Sequence, residues 1–295
     1  MSAPISYWQA VAETPLLLRG ACAGALVGLA CACLSPFVVL RRLAFVGDGM
    51  AHAAFGGLGL GLFLIAGSRA DDPLVQLIML GFCLVLAVAV GRATRQRESG
   101  REEGKLAADS AIGIAFAVSM ALGALLITLR QRREPQYKAG WEGYLFGSLL
   151  TIGESQVWIT FALAGAVLLA LVLFHKELTF YTYDETLAEL SGLPVGFLHY
   201  LFLALLVLTV VVSARIVGIV LVSSSLVLPG VAGLALAQRL PVAVCIAGAI
   251  GVLSYQVGLY ASFTWNIPPG AAVVLVQFAC VVAAQAVRVA RGATN

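Results

Sequence analysis

Long apolar runs, separated by short clusters of charged residues, proline and glycine, make up most of this chain. A hydrocarbon core about 30 Å thick needs roughly 20 apolar residues per helical crossing. The runs therefore predict eight or nine transmembrane helices, at residues 16–40, 43–66, 73–91, 110–129, 157–174, 199–214, 216–237, 242–263 and 271–287. Pro229 is expected to break or shorten the seventh of these. The stretch 141–150 is too short to cross and predicts a re-entrant or surface helix.

Composition supports a membrane protein. The 295 residues are 61% apolar and 11% charged, which leaves too little polar surface for a water-soluble globule. We predict one all-α, polytopic helical bundle over residues 1–295, located in the cell membrane. The net charge is only +3, and no basic cluster is interleaved with aromatic residues, so a nucleic-acid partner is not expected.

Two charged segments separate predicted spans. Residues 92–109 mix both signs of charge with glycine, which predicts a flexible cytoplasmic loop. With the N-terminus outside, Arg130, Arg132, Arg133 and Lys138 fall in one external loop. This loop is either ordinarily solvated or a docking surface for an acidic partner.

Asp48 and His52 are the only ionisable side chains well inside a predicted span. An ionisable side chain at mid-membrane costs about 2.5–3.5 kcal/mol, so such residues indicate function. Their i, i+4 spacing puts a carboxylate and an imidazole on one helix face, where we expect a buried pair that holds a divalent ion. Nitrogen and oxygen ligands suit Zn²⁺, Mn²⁺ or Fe²⁺ better than Mg²⁺ or Ca²⁺. A structural lock between helices and a proton relay are the alternatives.

Other polar residues admit a functional and a plainer interpretation. Ser223, Ser224 and Ser225 either satisfy backbone carbonyls freed by Pro229 or line a polar passage. His175 and His199 lie at span ends, where interfacial placement explains them. The six cysteines are interpreted as small packing residues, although Cys31 and Cys33 leave a metal site open as an alternative.

Five segments together resemble the metal-ion permeases of ATP-binding-cassette importers. They are FVVLRRLAFVGDGMAHAAFGG, DSAIGIAFAVSMALG, LFGSLL, YDETLAELSGLPVGFL and RIVGIVLVSSSLVLPGVAGLALA, in the family's order, within a match from about residue 20 to 287. The resemblance implies the architecture of type II importer permeases, similar to cobalamin and siderophore permeases. It also implies a homodimer on two cytoplasmic ATPase subunits, fed with zinc, manganese or iron by an extracytoplasmic binding protein at the bacterial inner membrane.

The resemblance also assigns roles to residues. The Asp and His of the family's GDxxxH motif fall on Asp48 and His52, which would line the ion path. The segment 184–198 falls where the family contacts its ATPase, and its candidate coupling residues are Asp184, Glu185, Glu189, Gly192 and Pro194. The plainer interpretation of this segment is a solvated loop helix. Gly49-Met50-Ala51 departs from the bulkier or hydroxyl-bearing residues of many relatives, which puts helix flexibility near the site in doubt.

The sequence thus predicts the membrane subunit of a divalent metal importer, with zinc first and manganese or iron next. We expect no enzymatic activity and no covalent cofactor in this chain, because ATP is hydrolysed by the partner. A proton-coupled secondary transporter, which would use Asp48 and His52 as a relay, is the main alternative. An intramembrane metalloenzyme would need a third ligand and a general base. A purely structural scaffold would need the pair only for stability.

Overall fold

The computed structural model describes residues 15–69, 72–98, 102–134 and 154–293, and within them the regular structure is entirely helical. The helices are α1 Pro15–Leu40, α2 Ala44–Leu64, α3 Pro73–Glu98, α4 Glu102–Arg133, α5 Glu154–Leu173, α6 His175–Tyr183, α7 Glu185–Leu190, α8 Val195–Val217, α9 Ile219–Ser225, α10 Leu228–Leu236, α11 Leu240–Trp265 and α12 Pro269–Ala293. The predicted helix at 141–150 lies outside the described residues.

Within the described residues, seven helical stretches are long and apolar enough to cross a membrane, or eight if the bent pair 157–173 and 175–183 forms one span. The prediction of an all-α, multi-pass membrane protein is confirmed. Helix α2 is not among the seven, because its glycines together with Asp48 and His52 lower its hydropathy.

The described helices fall into two compact units. In the first unit, α1 packs along α11, which also contacts α10 and α12, and α5 packs on α1. Glycines bring the two central helices close together. A Cβ on Gly251 would lie 2.6 Å from the carbonyl oxygen of Gly28, and a Cβ on Gly28 would lie 2.6 Å from the ring of Tyr255. Small residues at these positions therefore set the spacing between α1 and α11.

The first unit also contains the helix break predicted at Pro229. Helix α9 ends at Ser225, and α10 begins at Leu228, so that Pro229 occupies the first turn of the second piece, where its missing N–H costs nothing. Gly218 separates α8 from α9 with a positive φ of 86°, which a residue without a Cβ adopts readily. Gly218 is the only residue between the two helices.

The second unit contains α2, α3, α4, α6 and α7, together with α8 up to residue 211. Helix α3 packs along α4, and glycines on two sides of α2 touch both. On one side, Cβ atoms added to Gly57 and Gly61 would come within 3.0 Å of the backbone of Met79 and Val75, respectively. The opposite side faces α4.

On the side of α2 that faces α4, Cβ atoms added to Gly56 and Gly59 would lie 2.5 Å and 2.6 Å from the carbonyl oxygens of Ser119 and Gly123, respectively. Close backbone contacts through these glycines therefore hold α2 against α3 and α4.

Two predictions about loops are wrong. Residues 92–98 and 102–109 are helical and extend α3 and α4, so the expected irregular backbone is limited to the undescribed residues between them. Arg130 does not lie in a solvated loop, because it belongs to α4 and its side chain is only 3% exposed. Its guanidinium donates hydrogen bonds to Leu62 O at the end of α2 and to Ser68 O at 2.7 Å. Arg132 next to it is exposed, as predicted.

Candidate metal-ion site

Helix α2 places Asp48 and His52 one turn apart in its first half. Asp48 Oδ1 lies 3.9 Å from His52 Nε2, beyond hydrogen-bond distance. The two groups therefore face the same space without being joined to each other. The spacing predicted from the sequence does bring the carboxylate and the imidazole together.

An aromatic ring packs against α2 at Gly49, the residue that follows Asp48. The ring of Phe116 on α4 occupies the place that a side chain at position 49 would need, so glycine is required there. Phe45 lies on the same side, with its ring centroid 6.0 Å from that of Phe116. Met50 and Ala51, between the Asp and the His, are fully buried. The Gly49-Met50-Ala51 segment is thus closely packed against its neighbours.

The prediction of a buried pair is wrong for the chain by itself. The side chains of Asp48 and His52 are 48% and 35% exposed, respectively. The sequence indicates only that the residues lie in a span, whereas exposure depends on what packs against that face. The pair is open on one side.

His52 contributes one notable buried atom. Its Nδ1 is inaccessible and has no hydrogen-bond partner among the described residues. Metal-bound histidines usually donate the second ring N–H to an acceptor, which fixes the ring. The His52 ring has no such hydrogen bond within the described part of the chain, so the packing around Nδ1, and not an acceptor, sets its orientation.

The described residues contain no group of three or more His, Cys, Asp or Glu side chains that could hold a metal ion. Cys31 instead lies 3.6 Å from Ser213 Oγ, in a buried contact that agrees with a packing role. Within the described residues, Asp48 and His52 therefore provide two ligands at most.

Comparison with known proteins agrees with this architecture. Residues 13–288 match the model of the ABC 3 transport family. The chain belongs to that family. It is a membrane subunit of an ATP-binding-cassette transporter and not itself an enzyme, as the sequence predicts.

Curated relatives and a solved structure extend the match over most of the chain. It is 34% identical to the manganese transport system membrane protein MntC of Halalkalibacterium halodurans, over 86% of this chain and 81% of that protein. The identity to MntC of Listeria monocytogenes is 30%, over 85% and 82%. The structure titled PsaBC from Streptococcus pneumoniae in complex with Fab superposes with a TM-score of 0.79 at 25% identity, covering 94% of this chain and 93% of that chain.

The candidate coupling residues of this permease form a capped helix. Asp184 is the N-cap of α7, and its Oδ1 accepts from the Leu187 amide at 2.9 Å. Gly192 ends the helix with a φ of 81°, and Pro194 O accepts from the first turn of α8. Glu185 begins α7, and Glu189 is exposed. The predicted local structure is confirmed, and coupling to an ATPase stays a prediction.

The three serines before the helix break differ in their surroundings. Ser223 Oγ and Ser224 Oγ donate to carbonyls of their own helix turn, Ile219 O and Leu221 O, rather than to the Ser225 carbonyl that Pro229 leaves without its usual donor. Ser225 is fully buried and accepts a hydrogen bond from Gln277 Nε2 at 3.0 Å. Its hydroxyl also lies 3.3 Å from that of Tyr255. Ser225 thus joins a buried network between helices.

The explanation of His199 as a residue at a span end leaves out its buried hydrogen-bond partners. His199 is 1% exposed, with Nδ1 2.8 Å from the Tyr181 hydroxyl and Nε2 3.2 Å from Gly91 O. Hydropathy considers only the residues of one run, so it places a histidine at the end of that run at the membrane interface. It carries no information about side chains elsewhere in the sequence that bond to the histidine. The one signal in the sequence is that Tyr181 and His199 flank the segment 184–198 closely on both sides. Gln277 gives a clearer signal, as an amide in the middle of an apolar run.

Proposed function

We propose that this chain is the permease subunit of an ATP-driven importer of a divalent metal ion, and that Asp48 and His52 bind the ion in transit. The observation that carries the proposal is the open, unbridged carboxylate–imidazole pair on α2, with its 3.9 Å gap. The names of the manganese transport relatives support metal as the substrate.

The gap fits an ion held between the two groups. Bonds of roughly 2.0–2.2 Å from a transition-metal ion to an oxygen and to a nitrogen bridge atoms up to about 4 Å apart. A small side-chain rotation also brings both atoms into a tighter, non-linear arrangement. Two ligands give a weak site, which suits a path from which the ion must leave as readily as it enters.

The open side of the pair supports the predicted homodimer. A charged group that faces lipid is costly, so a carboxylate that is 48% exposed needs either water or a protein surface opposite it. In a two-fold symmetric dimer, a second copy places the same pair on its own matching face. Such an arrangement offers two carboxylates and two imidazoles along one path.

The metal is proposed as manganese first and zinc second. The prediction from the sequence and the family resemblance put zinc first, but imidazole and carboxylate ligands suit either ion, because selectivity in such sites rests on geometry and availability. The relatives named for manganese change the order. Iron is the third candidate.

The partners follow from the same family membership. We propose that two cytoplasmic ATPase subunits bind the segment 184–198, where Leu187 is 49% and Leu190 is 80% exposed beside the carboxylate of Glu189. Exposed leucines next to charge are typical of a surface that a partner covers. An extracytoplasmic binding protein would deliver the ion on the opposite side of the bacterial inner membrane.

Metal uptake by a strain that lacks its own copy of this permease tests the site. Asp48→Ala and His52→Ala should each reduce radiolabelled Mn²⁺ uptake by about tenfold or more. Loss of a group that is only hydrogen-bonded to a metal ligand already lowers metal affinity or activity by about 10–100-fold. His175→Ala is the matched control, since that imidazole begins α6 and is not part of the pair. All variants should copurify with the ATPase subunit in normal amounts.

Normal uptake by both alanine variants would refute the assignment of Asp48 and His52 as ligands of the ion. Proteoliposomes supply the second arm of the test. Uptake driven by a pH gradient in the absence of the ATPase would establish a proton-coupled transporter instead of an ATP-driven one.

A further inference from the structure

A buried hydrogen bond joins the two ends of the segment 184–198. Tyr181 lies just before the segment in α6, and His199 lies just after it in α8. The Tyr181 hydroxyl is 2.8 Å from His199 Nδ1, and each residue is 1% exposed. The segment is therefore a loop that is closed at its base by one side-chain contact.

The second nitrogen of the same imidazole reaches a third helix. His199 Nε2 lies 3.2 Å from the carbonyl oxygen of Gly91 in α3. A carbonyl only accepts, so Nε2 carries the proton of the neutral ring, and Nδ1 accepts from the Tyr181 hydroxyl. One imidazole thus connects the base of the segment with α3.

Glycine at position 91 allows this connection. A Cβ on Gly91 would lie 2.7 Å from Leu203 Cδ1 and 2.9 Å from Tyr200 Cε1. Both atoms are the ends of side chains, so these contacts place Gly91 directly against Tyr200 and Leu203 of α8. Helices α3 and α8 therefore meet at the same level at which His199 bonds the Gly91 carbonyl.

Helix α3, which contains Gly91, also packs against α2, the helix that carries the candidate site. Met79 and Val75 of α3 meet Gly57 and Gly61 of α2 at backbone contact distance. Packed helices of this kind move together, because close contacts leave no slack to absorb a displacement. A continuous line of contacts thus leads from the segment 184–198 to α2.

We propose that His199 is a positioning residue that makes the segment 184–198 move as one body with α3, so that ATP hydrolysis by the partner is coupled to movement of the ion. This inference rests on the proposed function. Without the bond from Tyr181 to His199, the segment can pivot at Asp184 and Pro194 and leave α3 in place. The partner would then hydrolyse ATP without moving the metal.

The test measures how many ATP molecules are hydrolysed for each Mn²⁺ ion imported by proteoliposomes that contain the full complex. Tyr181→Phe removes one hydroxyl and keeps the ring, and His199→Phe removes both hydrogen bonds. Tyr200→Phe is the matched control, because its ring lies edge-on to His199 with centroids 5.4 Å apart, while both imidazole nitrogens face other partners.

We expect Tyr181→Phe and His199→Phe to bind the ATPase normally and to hydrolyse ATP, but to consume several-fold more ATP per ion. The control should retain the parent ratio. An unchanged ratio in Tyr181→Phe, or a loss of ATPase binding in that variant, would overturn the role of His199. If His199→Phe does not fold, Tyr181→Phe decides alone. Failure of the unmodified complex to import Mn²⁺ with ATP would refute the proposed function instead.

Discussion

The contact between α2 and α4 can be tested with one methyl group. Gly123 is buried in α4, and a Cβ there would lie 2.7 Å from Phe55 O and 2.9 Å from Gly56 Cα. Gly113 in the same helix has no atom within 4 Å of the corresponding position. Gly123→Ala and Gly113→Ala therefore make the same chemical change in the same helix, once at a backbone contact and once in open space.

The expected magnitudes follow from two opposing effects. Alanine is about 1 kcal/mol more favourable than glycine inside a helix, so Gly113→Ala should stabilise the protein by up to that amount. Overpacking a tight contact costs about 1–3 kcal/mol, and the neighbours of Gly123 are backbone atoms that cannot rotate away. Gly123→Ala should therefore be about 1–3 kcal/mol less stable than Gly113→Ala.

Thermal unfolding in detergent at one fixed scan rate compares the two variants with the parent. Gly113→Ala should unfold at or above the parent temperature and Gly123→Ala below it. Mn²⁺ uptake should fall only in Gly123→Ala, because α2 carries Asp48 and His52. Equal unfolding temperatures for the two variants would refute the reasoning that backbone contact fixes α2.

Two further predictions concern stability. Arg130→Met removes a buried guanidinium that donates to Leu62 O and Ser68 O. Each buried carbonyl left without a donor costs about 1–3 kcal/mol. Thermal unfolding should therefore show a lower midpoint for Arg130→Met, whereas exposed Arg132→Met should unfold like the parent. Equal midpoints would contradict a structural role of Arg130. Gly192→Ala should destabilise the segment 184–198 by about 1–2 kcal/mol, because a φ of 81° disfavours a residue with a Cβ. Faster proteolytic cleavage within residues 184–198 is the measurement.

The helices were predictable because lipid imposes a simple rule. Every span must be apolar for about 20 residues, and the apolar runs therefore indicate α1, α8, α11 and α12 within a few residues. The break before Pro229 was predictable for the same kind of reason, since proline removes a specific helical hydrogen bond. These features depend on local sequence alone.

The wrong predictions have two causes. Some residues contact partners that are distant in sequence, and some segments carry one local signal for a loop and another for a helix. Residues 92–109 are rich in charge, which indicates solvent, but their Arg, Glu, Lys and Ala residues also favour helix, and the described parts 92–98 and 102–109 are helical. Arg130 stands beside Arg132 and Arg133, so its pattern indicates a basic loop. Its actual partners, Leu62 and Ser68, lie more than 60 positions earlier.

At the candidate site, too, the sequence predicts the position of residues but not their contacts. The i, i+4 spacing placed Asp48 and His52 together, but only the structure shows that neither group is fixed to the other. Helix α2 is held by backbone contacts along two sides, whereas the His52 ring has no hydrogen-bond restraint on Nδ1 among the described residues. In the proposed site, two ligands on one helix fill only part of the coordination shell of an ion and so impose no complete geometry on it. Discrimination between Mn²⁺ and Zn²⁺ within the permease should therefore be shallow, since strict geometry is what separates metals of similar affinity. In the proposed importer, the choice of metal would then be made before the ion reaches α2, by the extracytoplasmic binding protein.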